Sequence, residues 1–252
     1  MLEPTREVFV DNGMIRIRPC FAALQPPGAG SSLALAPEKT AVVIVDVQRY
    51  FTETPPFSAM QQIVPRIAGV LQAARAAGMT VAHVKSEFLA NMADAGRPGS
   101  RTRQMMDSLC SVGGTENPLA QANPLAEIAP ELAPELSDVV VTKTRFSGFW
   151  RTNLDELLKA RNIESLIFTG GTTTVCLEST LRDALFCEYN ALVLSDCAMD
   201  MTPELHESAL TRIEMFFGWI CRSEELISAL REIGQRGKGS ENSPNLIDRQ
   251  SQ

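Results

Sequence analysis

Ser165-Leu-Ile-Phe-Thr-Gly-Gly-Thr-Thr-Thr-Val-Cys-Leu-Glu-Ser-Thr180 is where the fold of this chain can be read. Its opening, Ser165-Leu-Ile-Phe168, is a short apolar strand pattern, and Gly170-Gly171 interrupts it. Beyond the interruption, apolar Leu177, Leu181, Ala184 and Leu185 recur at helical spacing. Cys176 therefore falls at a strand-to-helix turn, in the first turn of the helix. Backbone N–H groups and the positive helix end favour an anion there. They lower a thiol's pKa and can hold a developing oxyanion. An isolated cysteine is more often a small hydrophobe packed in a core, so a functional reading depends on what else reaches the same place.

Outward from this unit, the chain alternates strands and helices. Thr40-Ala-Val-Val-Ile-Val-Asp46 is a nearly continuous β-branched run, the pattern of a strand buried on both faces of a parallel sheet. A helix follows over about 59–77 and ends at Gly78. Thr80–Val84 is a second strand, Asp138–Thr142 a third, Glu164–Thr169 a fourth and Asn190–Ser195 a fifth, with Trp219–Cys221 a short last one. Thr152 or Asn153 is expected to cap a helix to Ala160, Thr202-Pro203 to start one ending near Phe217, and Ser223 to cap a last one to Ile233. Residues 86–136 form a less regular excursion. The expected fold is a single three-layer α/β/α domain over 39–233, a mostly parallel sheet of five to six strands with helices on both faces. An N-terminal arm rich in Pro, Gly and Ser spans 1–38, and a polar tail expected to be disordered spans 234–252.

Composition narrows the function. A net charge of −7 argues against nucleic acid or an anionic membrane surface as the partner. There is no apolar run long enough for a membrane span, and the first residues do not read as a signal peptide. The 6 cysteines are scattered without a C-x-x-C pair, which predicts reduced thiols and a cytoplasmic setting. Of the 2 histidines, His83 reads as a packing residue and His206 as a surface one. No set of residues has zinc-ligand spacing, so neither a metal nor another cofactor is expected.

In an open parallel sheet, functional residues gather at the carboxyl ends of the strands. Asp46 ends the first strand, Lys143 ends the third and Cys176 follows the fourth, so all three point to one sheet edge. A thiol nucleophile needs a base, a charge to stabilise the thiolate and donors for the oxyanion. Asp46 can supply the first and Lys143 the second. Singly, a strand-ending Asp often caps a turn and a strand-ending Lys is usually solvated. Together at one edge with a cysteine, they read as a triad.

Three segments carry a resemblance to a known family. Val43-Ile-Val-Asp-Val-Gln48, Val141-Thr-Lys-Thr-Arg-Phe-Ser147 and Phe168-Thr-Gly-Gly-Thr-Thr-Thr-Val-Cys-Leu-Glu-Ser-Thr180 resemble, in this order, the signature stretches of the isochorismatase-like cysteine hydrolases. The similarity covers roughly 38–232. It implies an Asp46–Lys143–Cys176 triad, a non-proline cis peptide at Gly171–Thr172, and an oxyanion hole made by the amides of Thr172 and Cys176. It also implies dimers or tetramers, an assembly the arm can join. Gly171 departs from the family, whose usual residue there is apolar and branched. The cysteine points to C–N hydrolysis rather than vinyl-ether cleavage, and His83-Val-Lys-Ser-Glu-Phe88 lacks the Asp-x-His pattern of the metal-dependent nicotinamidases. Thr144–Thr152, Glu178–Asp183 and Phe216–Trp219 most resemble the ureidoacrylate amidohydrolases, although Ser86 and Phe88 stand where those carry Asn and Trp.

The expected substrate is therefore a small amide or ureido compound. It would lie between aromatic walls drawn from Phe51, Phe88, Phe146, Phe149 and Trp150, each of which can equally be core packing. Gln48, two residues beyond Asp46, can orient Asp46 or bind a substrate amide. Arg145 can pair with a substrate carboxylate or lie on the surface, and Glu178 serves the helix dipole or an internal ion pair. Biuret-like, N-carbamoyl and aryl amides are alternative substrates, and a non-catalytic binder or a redox sensor is an alternative function. For the sensor, Cys187 is a poor resolving thiol, roughly 16 Å along a helix from Cys176.

Overall fold

The computed structural model describes residues 7–18, 32–111 and 117–241, with side chains through 235. Residues 25–31 of the arm's Pro/Gly/Ser stretch and 242–252 of the tail lie outside the described residues.

The core is a six-stranded, all-parallel sheet built from β4 (Thr40–Val45), β5 (Thr80–Ser86), β6 (Val139–Lys143), β7 (Ser165–Gly171), β8 (Asn190–Met199) and β9 (Trp219–Cys221). Its strand order is β6-β5-β4-β7-β8-β9. The chain runs outward from β4 in one direction and outward from β7 in the other. With right-handed crossovers the connecting helices then fall on opposite faces. One face carries α1 (Arg49–Glu53), α2 (Val64–Ala76), α3 (Arg101–Ser111) and α7 (Ser223–Glu241); the other carries α4 (Leu154–Lys159), α5 (Glu178–Phe186) and α6 (Pro203–Phe216). The apolar runs of β4 and β7 are buried along their whole length, as a strand covered on both faces must be.

The arm's short apolar runs form strands of their own. β1 (Glu7–Asp11), β2 (Met14–Arg18) and β3 (Leu33–Leu35) form an antiparallel sheet. The inward residues Ile15, Ile17, Leu33 and Leu35 are buried in the same core cluster as Leu226 and Leu230 of α7. Alternation in Met14–Arg18 gives this sheet one apolar face, and α7 supplies the surface that covers it. The tail is also shorter than expected. α7 continues to Glu241 rather than stopping near Gly234. Its packed first turns bear the cost of nucleation, so each later residue adds at little expense. Ser223 does not cap this helix; its hydroxyl and amide donate to Asp196. Among the described residues, no helix is long and apolar enough to cross a membrane.

His83 lies in the middle of β5, 1% exposed, with neither ring nitrogen hydrogen-bonded and Asp138 3.5 Å from Nε2. Burial lowers its pKa; Asp138 opposes the shift and Arg75 adds to it. A lowered folded-state pKa means the unfolded chain binds the proton more readily. This contribution to stability is therefore complete above about pH 6.5 and is lost as pH falls below it. A His83→Phe variant should lose less stability between pH 7 and pH 5 than the parent, measured by urea unfolding at each pH.

Candidate active site

Strand order converts three residues at one edge into neighbours. Lys143 ends β6, Ser86 ends β5, Asp46 follows β4, and the Cys176 turn follows β7, so they lie on four successive strands. The β4–β7 boundary is where the chain reverses direction across the sheet, the crevice in which doubly wound folds bind ligands.

Asp46 and Lys143 are 2% and 1% exposed, and Lys143 Nζ lies 2.8 Å from Asp46 Oδ2. The ammonium donates to Ser86 Oγ (2.7 Å), Arg145 O (3.1 Å) and Cys176 Sγ (3.6 Å). The same ammonium makes the ion pair with Oδ2. Oδ1 accepts from Ser86 Oγ at 2.9 Å. Burial lowers the Lys143 pKa, but Asp46 and Cys176 outweigh it and leave the group above its ordinary value. Asp46 itself adopts a left-handed backbone conformation, φ 53°, and its N–H donates to Val84 O at 2.9 Å. That turn lifts the carboxylate out of the strand and over its neighbours.

The nucleophile turn is set by backbone contacts. Gly170 has φ +97°, and a Cβ there would lie 2.1 Å from Val45 O. Only glycine lets β7 approach β4 this closely. The Gly171–Thr172 peptide is cis. Thr173–Leu177 is a single π-helical turn whose first ladder bond runs from Leu177 N to Thr172 O. The amide of Cys176 thus precedes the ladder. Asp200 accepts from Thr174 N (2.6 Å) and Thr174 Oγ1 (2.7 Å), tying the turn to the end of β8. His206 is not the surface residue expected. Its Nε2 faces Ser195 O at 3.1 Å and its Nδ1 lies 2.9 Å from Thr173 Oγ1, so it clamps the same turn from α6.

Cys176 is half-buried and its pKa is raised, contrary to the effect expected of a helix start. Burial is the largest cause; Lys143 opposes it, and Asp46 adds to the rise. The raised pKa favours the protonated thiol, and the Asp46 carboxylate is among the groups that raise it.

A family model described as the isochorismatase domain matches residues 40–225, well over half of the chain. The chain belongs to the isochorismatase family. A ureidoacrylate amidohydrolase RutB from Klebsiella pneumoniae subsp. pneumoniae is 35% identical over 219 residues, covering 81% of this chain and 92% of that protein. The RutB of Acinetobacter baylyi is 33% identical over 222 residues, covering 82% and 90%. Among solved structures, a cysteine hydrolase from Pseudomonas syringae pv. phaseolicola superposes with TM-score 0.70 and 31% identity, covering 79% of this chain and 95% of that one. The protein is thus a hydrolase of the isochorismatase type on an α/β fold.

The remaining site residues of this isochorismatase-family hydrolase are not gathered into one wall. Gln48 is fully buried, and its amide is engaged by Ser86 N, Ser86 O and Ala126 O, which leaves no donor for a substrate. Phe51 packs edge-on against Tyr50 and Phe57, and Phe88 is 1% exposed in the same core. Phe146 borders that core, whereas Phe149 packs near Tyr189 on the opposite face of the sheet. Trp150 is 39% exposed with the guanidinium groups of Arg145 and Arg151 over its ring, 4.8 and 4.7 Å from the centroid. Arg145 also donates to Asp94 O at 2.8 Å, tying the 86–136 excursion to this rim. Glu178 forms the internal ion pair, with Arg182 at 2.6 Å and Arg212 at 2.8 Å. Sequence reasoning missed Ser86 as a member of the charge cluster. It ends a strand whose position between β4 and β6 no local signal reveals.

Three substitutions test this geometry. Asp46→Asn and Lys143→Met should each lower unfolding stability by about 3–5 kcal/mol, because each strands a buried charge or its partners. The double variant should cost clearly less than their sum; additive costs in urea denaturation would mean the two charges are not coupled. Gly171→Val, which restores the branched residue usual in the family, places a Cβ 2.7 Å from Met199 O and 3.1 Å from Met60 Cε. It should lose about 1–3 kcal/mol, read as a lower urea midpoint, since the first of these contacts is backbone.

Proposed function

We propose that this protein is a cysteine amidohydrolase. It cleaves the C–N bond of a small carboxamide or ureido compound through a covalent thioester or thiocarbamate on Cys176, with a ureidoacrylate-like acid the favoured substrate. The observation that carries this reading is the Cys176 thiol in contact with a buried Asp46–Lys143 pair at the sheet's switch point. The ureidoacrylate amidohydrolases among its relatives support the choice of ureido substrate.

In the proposed reaction Asp46 takes the thiol proton as sulfur attacks the carbonyl carbon. Proton transfer and attack are coupled, because a free thiolate is disfavoured in this buried setting. Lys143 stabilises the negative charge that passes from carboxylate to sulfur. The tetrahedral oxyanion is held by the amides of Thr172 and Cys176. The C–N bond then breaks, and Asp46 returns the proton to the leaving amine. Water, deprotonated by Asp46, attacks the thioester or thiocarbamate; the acid or carbamate leaves and the thiol is regenerated. Arg145, two residues beyond Lys143, is the cation proposed to meet a substrate carboxylate by a paired contact.

Ammonia release should be screened over ureido acids, biuret-like compounds, simple carboxamides and aryl amides. Cys176→Ala is expected to lose several orders of magnitude in kcat on the best substrate while still binding it. Intact-protein mass spectrometry of the parent during turnover should show one acyl or carbamoyl group on Cys176. Activity of Cys176→Ala within about tenfold of the parent would exclude covalent catalysis.

A further inference from the structure

We infer that Ser86 is a positioning residue that selects which oxygen of Asp46 serves as the base. The inference rests on the reading of Asp46 as the base given above. Ser86 is 5% exposed and pairs in register with Lys143, so it sits between the two charged residues. Its Oγ receives a hydrogen bond from Lys143 Nζ at 2.7 Å and gives one to Asp46 Oδ1 at 2.9 Å. The direction is forced. An ammonium has only protons to offer, and a serine has one, so the hydroxyl proton must point to the carboxylate. Oδ1 is thereby committed as an acceptor. Oδ2, which pairs with the ammonium and lies outside the serine's hydrogen bond, is left to take the thiol proton.

The main chain of Ser86 is held from both sides by one buried side chain. Ser86 N donates to Gln48 Oε1 at 2.8 Å, and Gln48 Nε2 donates to Ser86 O at 2.8 Å. At this level β4 has ended, and Asp46 has turned away with φ 53°. No backbone of β4 remains there to pair with the last residue of β5. The primary amide takes its place, offering one acceptor and one donor as a strand residue would. Gln48 Nε2 also donates to Ala126 O at 2.7 Å, so the same amide anchors the excursion beside the site. Gln48 therefore acts through Ser86, and Ser86 acts through Asp46 and Lys143.

The test compares Ser86→Ala with Ser86→Thr, which keeps the hydroxyl. Two readouts are used. One is kcat and KM against pH for the amide turned over fastest. The other is the rate of iodoacetamide alkylation at Cys176, followed by peptide mass spectrometry, which needs no substrate. In Ser86→Ala, kcat should fall about 10–100-fold with KM within about twofold. The acid limb of the kcat profile should move to higher pH by about one unit, because a carboxylate stripped of a donor is protonated more readily. Alkylation at pH 7.5 should slow about fivefold or more, since the base is no longer aligned. Ser86→Thr should recover both readouts to within about threefold of the parent. If Ser86→Ala fails to fold, Ser86→Cys, a weaker donor, takes its place and should fall between parent and loss. A folded Ser86→Ala with parental kcat, acid limb and alkylation overturns the inference, as does a Thr variant no better than Ala. Failure of the amidohydrolase reading looks different: no amide is turned over, or Cys176→Ala stays active, while Ser86 still governs alkylation of Cys176.

Discussion

The ion pair between Asp46 and Lys143 is the contact on which the rest of this structure depends. Both side chains are almost fully removed from water. Such a pair is tolerated only where its geometry is good and its remaining donors and acceptors are met. Here the conditions are met by strand ends: the Ser86 hydroxyl from β5, the Arg145 carbonyl from the chain leaving β6, and the thiol from the turn after β7. Displacing β4 by one residue would put Val45 or Val47 in place of Asp46, and displacing β5 would put Lys85 or Glu87 in place of Ser86. The sheet is thus a scaffold for the charge pair, and the charge pair penalises any other register of the sheet.

Burial has a chemical consequence as well. It raises the thiol's pKa against the pull of Lys143. In the proposed chemistry the thiol gains nucleophilicity when the Asp46 carboxylate accepts its proton during attack, which links that chemistry to the orientation of Asp46. The turn that carries Cys176 is correspondingly restrained, by the Gly170 approach to β4, by Asp200 on Thr174 and by His206 on Thr173. Each restraint comes from a different element, so the π turn has little freedom to drift from the carboxylate.

Much of this was legible locally. The β-branched run Thr40–Val45 and the apolar Ser165–Phe168 declare buried parallel strands because a strand covered on both faces has no polar side to show. Thr202-Pro203 marks the start of α6, and Thr202 does accept from Leu205 N. Less legible were features set by packing between distant segments. The arm's short strands needed α7 beneath them to count as a sheet. The end of α7 lies past a glycine because the packed part of the helix carries the rest. Gln48 looked like a substrate ligand from its spacing, yet it stands in for a missing strand.

The residue order alone determined the alternation of strands and helices, and with it that Asp46, Lys143 and Cys176 come to one edge. Both follow from periodicities of side-chain burial that operate over a few residues. Which strands are neighbours is a property of the whole sheet, settled by crossovers that span dozens of residues. That ordering put Ser86 between the two charges, turned Gln48 inward, and sent the candidate aromatics to different faces. The direction of the thiol's pKa came from the same source, since desolvation and charge act through space and have no signature in the spacing of residues along the chain.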